Sequence, residues 1–395
     1  MFQLQRLILY LCLTFFVGLP YVYGWKNFFK SETNLAGYHC NQEWKENGLN
    51  YNHSLFVTNN RNTITLDWAQ IFPDACTSKV NESAVNHYKK QLDTLLLQDI
   101  EPVVLLYSGN LPTVFGTLGG WTNPIIIQYF ANYAKQSFKI FGNRVKTWIT
   151  FEEPRTVCDT FKGLLGDEFP SGMAEYLCAH NILRAHAEAY HIYDKEFRIT
   201  QNGKISITLD LEWAEAANFS NPKSVLAAER KVHFTFGLYA NPLLNFDYPP
   251  IVTSRVAKRS KMEGFARSRL PEFTYADKLK LSGSYDYLGI KQNGITFIAA
   301  SANKQVSKPS IKADCGCKTK KIFYSDDDEK WTKKQACQRM INWLKTTYSD
   351  STIVLMDTEV KGDENDLEKR KKIKHKEYMK TLLDGVLEMN ELLKG

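Results

Sequence analysis

The sequence predicts an α/β fold in which parallel strands form a barrel. From about residue 62, short β-rich runs alternate with longer helical runs, which is the pattern of parallel strands joined by crossover helices. Six such strands follow one another without a Gly-x-Gly-x-x-Gly phosphate loop. The missing loop favours a barrel over a doubly wound nucleotide-binding sheet.

The first units of this pattern are the clearest. Thr63–Trp68 is predicted as a strand, and Glu82–Gln98 as a helix with its apolar residues on one face. Pro102–Tyr107 is continuous and apolar, as a strand buried on both faces should be. Asn123 and Pro124 are typical of a helix start, and the helix that they begin is expected to end at Gly142.

The cycle then continues to the end of the chain. No linker and no internal repeat interrupts it, so residues 25–395 are predicted to form a single domain. The remaining predicted elements are strands over Val145–Phe151, Lys204–Leu211, Asp286–Ile290 and Ile353–Asp357, and helices over Ala174–Phe197, Pro222–Phe236, Thr332–Thr347 and Glu364–Leu393.

Residues 1–24 are predicted to be a cleaved signal peptide. The apolar run Leu7–Leu19 is followed by Val22-Tyr23-Gly24, which places short side chains where a signal peptidase reads. A membrane anchor is the alternative, but the run is short for a bilayer and no second apolar run of about 20 residues follows. We expect a secreted or secretory-lumen protein without membrane association after cleavage.

Asparagine and cysteine usage agrees with that compartment. Asn-x-Ser sequons predict glycosylation at Asn52, Asn81 and Asn218. Removal of Cys12 leaves an odd number of cysteines, so at least one thiol is expected to stay free or to pair with another chain. The mature cysteines are Cys40, Cys76, Cys158, Cys178, Cys315, Cys317 and Cys337.

Neither a metal, a cofactor nor a nucleic acid is expected as a partner. The Cys315-Gly316-Cys317 spacing is tighter than a zinc Cys-x-x-Cys, and no histidine pair lies nearby. The formal net charge is +7, with the densest basic run at Lys369–Lys376 beside Asp363–Glu368. A solvated helix face is the favoured interpretation of this run, and a polyanion site is the alternative.

The residues around the predicted fourth strand carry a family resemblance. Trp148-Ile149-Thr150-Phe151-Glu152-Glu153-Pro154, preceded by Gly120–Asn123 and Phe141–Lys146, resembles the fourth-strand motif of the family 1 glycoside hydrolases, the β-glucosidase and myrosinase family. Further similar segments run from about residue 63 to residue 393. The resemblance implies a (β/α)8 barrel of the TIM type that acts on β-glycosides, with its site at the carboxyl ends of the strands.

The resemblance also implies two catalytic carboxylates. In retaining members one carboxyl protonates the leaving oxygen, and another, about 5–5.5 Å away, attacks the anomeric carbon. Glu153 falls on the acid/base position and Asp357 on the nucleophile position, where the family has glutamate. The aspartate is one methylene shorter, and a misplacement of about 1 Å can cost around a hundredfold in rate. Glu359 could substitute after a two-residue shift.

Other sugar-binding positions implied by the resemblance are replaced. Ser108 stands where the family has histidine, Glu152 where it has the asparagine that binds the 2-hydroxyl, and Asn293 where it has tyrosine. Thr63 replaces an arginine near the nucleophile. Ser108, Glu152 and Asn293 are therefore the candidate substrate-binding residues of an altered site.

The barrel is also expected to be incomplete. The first strand has no recognisable counterpart between Trp25 and Asn62, and the sequence stops at Gly395 before an eighth strand. Sheet edges that normally pair would then be exposed, unless other residues such as Trp25–Tyr51 cover the gap.

These observations leave three alternative hypotheses for the function. The favoured hypothesis is a secreted, impaired or inactive barrel that binds a β-glycoside, another carbohydrate or an unidentified protein. The alternative is a retaining β-glycosidase that uses Glu153 as acid/base and Asp357 as a weak nucleophile, and a third is a truncated product with little activity. An open cleft between Glu153 and Asp357 would favour the enzyme, whereas Lys291, Lys361 or a loop within that cleft would argue against it.

Overall fold

The structure, a computed structural model, describes residues 55–58, 63–75, 77, 79–164, 172–300, 308–320, 326–348 and 351–356. Its strands are β1 Leu55–Thr58, β2 Thr63–Thr65, β3 Val103–Tyr107, β4 Thr147–Glu152, β5 Lys204–Ala216, β6 Leu288–Ala300, β7 Cys317–Thr319 and β8 Ile353–Met356. Its α-helices are Trp68–Ile71, Glu82–Leu97, Thr113–Thr117, Ile126–Phe141, Pro154–Leu164, Ala174–Ile192, Arg198–Gln201, Pro222–Val232, Leu238–Leu244, Pro250–Met262, Tyr275–Leu281, Ile311–Cys315 and Asp326–Thr347. Two π-helical turns, Tyr193–Phe197 and His233–Gly237, continue the helices before them.

The strands form one sheet in the order β1-β8-β6-β5-β4-β3-β2. All neighbours on this path are parallel, and β7 pairs antiparallel with the end of β6. The six predicted strands correspond to β2, β3, β4, β5, β6 and β8, with helices between them. The prediction of parallel strands in βα order is therefore confirmed.

A short strand, β1, lies between Trp25 and Asn62, where the sequence shows no recognisable counterpart of the family's first strand. β1 runs parallel to β8, with Leu55 opposite Ile353. It therefore occupies the side of β8 where a closed barrel would have its eighth strand, and it supplies main-chain partners to that edge. A run of four residues is too short to show strand periodicity in sequence. Trp25–Tyr51 lie outside the described residues.

Other element boundaries also differ from the predictions. β2 ends at Thr65, because the Asp67 carboxylate accepts a hydrogen bond from the Gln70 N–H at 3.0 Å and caps a helix that begins at Trp68. β5 and β6 each run for 13 residues and so extend beyond the barrel as a paired ribbon. The predicted helix Glu364–Leu393, with its basic run, lies outside the described residues.

Buried side chains fill both sides of the strands. A small cluster lies inside the barrel and contains Val103, Leu105, Ile149, Tyr287 and Val354. The large cluster lies between strands and helices, where Trp148 of β4 packs against Phe138 with ring centroids 5.0 Å apart. Because side chains alternate along a strand, these clusters assign each strand residue to the interior or the outer layer.

One histidine is buried in the outer layer. His186 Nε2 lies 2.7 Å from the Ser284 carbonyl oxygen and its Nδ1 lies 2.6 Å from Thr150 Oγ1. A carbonyl can only accept, so Nε2 carries the proton and Nδ1 accepts from the threonine hydroxyl. Burial lowers the pKa of His186 to about 3, so the ring is neutral in the folded protein.

Two disulfides lie within the described part of the chain. Cys158–Cys178 joins the helices Pro154–Leu164 and Ala174–Ile192, and Cys315–Cys317 spans a single glycine. Cys337 is buried, and Cys40 and Cys76 lie outside the described residues. The expectation of an odd thiol therefore stays a prediction.

Two of the three sequons can be placed on the surface. Asn81 caps the helix Glu82–Leu97 through a hydrogen bond from the Ala84 N–H, and Asn218 accepts one from the Ser220 N–H. Both residues are exposed, whereas Asn52 lies outside the described residues. Glycosylation stays a prediction. Within the ranges given above, no helix has the length and apolar character required to cross a bilayer.

Candidate active site at the barrel mouth

The turn after β4 fixes Glu153 through its backbone. Glu153 has a left-handed φ of 48°, a conformation that costs a residue with a Cβ roughly 1–2 kcal/mol. Its N–H donates to the Thr208 carbonyl of β5 at 2.9 Å, and its carbonyl accepts from the Val157 N–H at 3.0 Å. The neighbouring strand and the following helix therefore hold this strained residue at the carboxyl end of β4.

The Glu153 carboxylate is paired with Asn293. The Asn293 side-chain amide donates to Glu153 Oε1 at 2.7 Å, across from β6 to β4. Gly294, with a φ of 114°, follows Asn293 and exchanges two hydrogen bonds with the Gln292 side chain. Two sequence-predicted site residues are thus brought together, and one oxygen of the expected acid/base residue accepts an amide hydrogen bond.

Glu152 is engaged by a cation. Lys291 Nζ lies 2.7 Å from Glu152 Oε1, and the side chains of Lys291 and Glu152 are only 11% and 17% exposed. Lys291 is opposite Met356 in the β6–β8 pairing, two residues beyond the pair Gly289 and Val354. Val354 belongs to the interior cluster, so the alternation along β6 places Lys291 inside the barrel as well. Lys291 therefore lies inside the barrel beside Glu152, whereas Asp357, which would form the other side of the expected cleft, lies outside the described residues.

A second ion pair flanks the first. The guanidinium of Arg155, just after Glu153, donates from Nε to Asp210 Oδ2 at 2.5 Å. Burial raises the pKa of the Asp210 carboxyl, the Arg155 charge lowers it, and the Glu153 charge raises it again. Burial lowers the pKa of Arg155, but the charge and hydrogen bond of Asp210, together with the charges of Asp159 and Glu212, outweigh burial and raise it overall. At Asp210 burial prevails over the Arg155 charge, so the pKa of the carboxyl is raised overall.

The remaining predicted site residues lie on β2 and β3 or outside the described part of the chain. Ser108 is exposed at the end of β3, and Thr63 begins β2. Asp357 and Glu359 lie outside the described residues, which end at Met356 in this strand. The assignment of Asp357 as nucleophile thus stays a prediction.

Sequence reasoning missed Arg155 and Asp210. Asp210 follows Thr208 at the interval of two that keeps side chains on one face of a strand, and Thr208 pairs with Glu152. That interval was available in the sequence, but the pairing register was not. The mouth therefore contains three coupled polar pairs: Glu152–Lys291, Glu153–Asn293 and Asp210–Arg155.

Comparison with known proteins identifies the family and the fold of this chain. The sequence profile of glycosyl hydrolase family 1 matches residues 35–393. This chain belongs to glycosyl hydrolase family 1. Its fold is accordingly the (β/α)8 barrel of that family, as the sequence analysis expected, and β4, β5 and β6 are the strands that position the described part of the site.

Individual relatives span the chain to different extents. Human lactase/phlorizin hydrolase is 35% identical over 333 residues, which cover 82% of this chain and 17% of the relative. The cytosolic beta-glucosidase of Cavia porcellus is 32% identical over 348 residues, which cover 85% of this chain and 71% of the relative. The chain therefore spans less than a fifth of the first relative and about seven tenths of the second.

Solved structures give the same result for the fold. An aphid myrosinase superposes with a TM-score of 0.70 at 28% identity, covering 82% of this chain and 70% of that one. A rice β-glucosidase superposes with a TM-score of 0.69 at 26% identity, covering 82% and 72%.

Proposed function

We propose that this family member is a secreted β-glycoside-binding barrel that hydrolyses its ligand weakly or not at all. The observation that carries the proposal is the ion pair between Lys291 and Glu152 in the barrel mouth. Glu152 stands at the position where the family resemblance implies a neutral asparagine amide. The hydrogen bonds that each polar pair of the mouth can offer a sugar decide between binding and turnover.

The ion pair removes a contact that matters most in the transition state. Hydrogen bonds to the sugar 2-hydroxyl strengthen in the transition state and help to supply several kcal/mol of stabilisation. Each loss of about 1.4 kcal/mol slows the reaction about tenfold. A Glu152 carboxylate can only accept a hydrogen bond, and its nearest donor is already Lys291. Loss of this contact, together with a shortened nucleophile, lowers turnover much more than ground-state binding.

The same groups suit the binding of hydroxyls. Glu153 and Asn293 present a carboxylate and an amide 2.7 Å apart, and Glu153 is partly exposed while Asn293 is exposed. A sugar hydroxyl both donates and accepts, so it can bridge such a pair without displacing it. Carbohydrate is therefore the favoured ligand over a protein surface.

The secreted location is part of the same proposal. It is supported by the apolar run Leu7–Leu19, by the exposure of the sequons at Asn81 and Asn218, and by the Cys158–Cys178 disulfide. Disulfides persist in oxidising compartments such as the extracellular space.

A retaining β-glycosidase is the second candidate, and one observation favours it. Glu153 keeps the strained left-handed backbone at the end of β4, and strained residues concentrate at functional sites. Turnover through this residue would require Asp357 as the nucleophile.

Release of p-nitrophenol from a panel of p-nitrophenyl β-glycosides distinguishes the two candidates. The mature chain is compared with Glu153→Gln and with Glu196→Gln, a matched change in the exposed Lys135–Glu196 pair. We expect equally low release from all three proteins. Release that Glu153→Gln abolishes and Glu196→Gln preserves would establish the glycosidase and overturn the binding proposal.

A further inference from the structure

The two disulfides constrain the chain to different degrees. Cys158 and Cys178 are separated by 20 residues, join two helices and are both buried. Cys315 and Cys317 are separated by two residues. Because the entropy that a disulfide removes from the unfolded chain grows with the size of the closed loop, the second bond contributes far less to stability.

The segment that carries the second disulfide is also held without it. Asp314, next to Cys315, accepts hydrogen bonds from Arg269 at 2.6 Å, Arg259 at 3.1 Å and Tyr176 at 2.8 Å. The Arg269–Asp314 pair is fully buried. Opening the Cys315–Cys317 bond therefore leaves the segment anchored, so a purely structural role does not account for the bond.

One residue of this disulfide is partly exposed. Cys315 is only 3% exposed, whereas Cys317, the first residue of β7, is partly exposed. Gly316 between them has a φ of 59°, and a Cβ there would lie 2.7 Å from Arg255 Nη2. Glycine at this position thus lets the Arg255 guanidinium lie directly against the turn. Because Cys317 is the more exposed of the two cysteines, an attacking thiol reaches Cys317 before Cys315.

Two arginines that form none of the Asp314 ion pairs lie against the turn. Arg230 donates to the Cys315 carbonyl at 2.5 Å and to the Gly316 carbonyl at 3.2 Å, and Arg255 donates to the Asp314 carbonyl at 2.9 Å. Neither belongs to any ion pair between described residues, unlike Arg259 and Arg269. Burial and the Arg255 charge lower the pKa of Arg230.

We propose that Cys315–Cys317 is a thiol-exchange site for low-molecular-weight thiols that carry carboxylates, with the mixed disulfide forming at Cys317. Positive charge attracts an anionic thiol and stabilises the departing thiolate. This site lies on β7 and is independent of the glycoside-binding proposal.

The exchange balances in two steps. A thiolate forms a bond to Cys317 Sγ, the Cys315–Cys317 bond breaks, and its electron pair leaves on Cys315 Sγ, which takes a proton from water. A second thiolate attacks the thiol-derived sulfur, releases the symmetrical disulfide and frees Cys317. Two thiols are oxidised and one protein disulfide is reduced. The Ala227 carbonyl lies 3.2 Å from Cys317 Sγ and can accept from the resulting thiol.

The test compares three small thiols of different charge on the mature chain: mercaptoacetate, 2-mercaptoethanol and cysteamine. Mixed disulfides are trapped by acid and located by peptide mass spectrometry. Each rate is divided by the thiolate concentration and by the rate of the same thiolate with a small uncharged disulfide, which removes the difference in intrinsic nucleophilicity. We expect modification at Cys317, at least about tenfold faster for mercaptoacetate than for cysteamine, while buried Cys158–Cys178 stays intact. Equal normalised rates, or equally fast opening of Cys158–Cys178, would overturn the proposal.

Charge-neutral variants make the test specific to the two arginines. In Arg230→Gln/Arg255→Gln the preference for mercaptoacetate should fall to less than about threefold. Arg144→Gln, which changes an arginine paired with Asp93 elsewhere on the surface, should keep the wild-type preference. Resistance of Cys158–Cys178 reports that each variant is folded. An unchanged preference in the double variant would refute the role assigned to the arginines.

Discussion

The barrel mouth and the ion cluster around Asp314 use the same chemistry in different surroundings. Arg269 and Asp314 are both 0% exposed, and Arg259, Glu263 and Tyr176 complete their contacts. In the mouth, Lys291 and Glu152 keep 11% and 17% exposure, and Glu153 and Asn293 beside them are open to solvent in part.

This difference separates a structural group from a binding group. A buried charge that is ion-paired within the protein and closed to solvent is out of reach of a ligand, and its loss is strongly destabilising. A pair at the edge of solvent contributes less to stability but can exchange one protein contact for a ligand hydroxyl. Polar residues at the mouth should therefore affect binding, and those around Asp314 should affect folding.

The largest effect is expected from Asp314→Ala. Removal of this carboxylate leaves Arg269 buried without its main counter-charge, so the free energy of unfolding should fall by about 3–5 kcal/mol. Urea denaturation measures the change. Glu196→Ala, in an exposed pair, should cost at most about 1 kcal/mol. Similar losses of unfolding free energy from Asp314→Ala and Glu196→Ala would contradict the structural role assigned to the buried cluster.

The second effect is the loss of stability in acid. Burial lowers the pKa of His186 to about 3 and that of His180 to about 4. An unfolded histidine titrates near 6.5, so below that pH the unfolded state binds more protons and stability falls. Each buried histidine contributes a slope of up to about 1.4 kcal/mol per pH unit, which sums to about 2 kcal/mol for His186 between pH 6.5 and 4.5.

Urea denaturation at several pH values checks this slope. His186→Gln should be less stable than wild type at pH 7 and should lose less further stability on acidification. The matched change at exposed His87 should leave the slope unaltered. A wild-type slope in His186→Gln would contradict the assignment.

A smaller effect is expected in the mouth itself. Lys291→Ala leaves the Glu152 carboxylate largely buried without its cation, at a cost of about 1–3 kcal/mol. Adding Glu152→Asn removes the stranded charge and should recover at least half of that loss. Denaturation of the two single variants and the double variant gives the coupling energy. Additive losses would show that the pair does not interact as described.

The smallest effect on stability is expected from Asn293→Ala. The residue is exposed, so loss of its hydrogen bond to Glu153 should cost at most about 1 kcal/mol. Glycoside binding should nevertheless weaken by about three- to tenfold, since one hydrogen bond of this kind is worth about 0.5–1.5 kcal/mol. Binding that is unaffected by Asn293→Ala would exclude this residue from the ligand site.

Sequence predicted the elements that local pattern determines. Six strands, the helices between them and the placement of Glu153 at the end of β4 followed from apolar runs and from the motif that ends in Pro154. β1 was missed because four residues carry too little pattern, and its parallel pairing with β8 joins distant parts of the chain.

The contacts of the site depend on register and were not predictable in the same way. Glu152 and Asn293 were recognised as replacements, but their partners, Lys291 and Glu153, follow from how β4, β5 and β6 align. The Arg155–Asp210 pair has the same origin. Residue identity thus indicated which positions had changed, and only the fold showed that Lys291 compensates the charge of Glu152.

Isothermal titration calorimetry of the mature chain with a p-nitrophenyl β-glycoside tests the central claim most directly. Binding without hydrolysis predicts saturable heats that return to the baseline after each injection, weakened by Asn293→Ala. Sustained heat flow that Glu153→Gln abolishes would show turnover and contradict the account, and the absence of any saturable heat across the glycoside panel would contradict it as well.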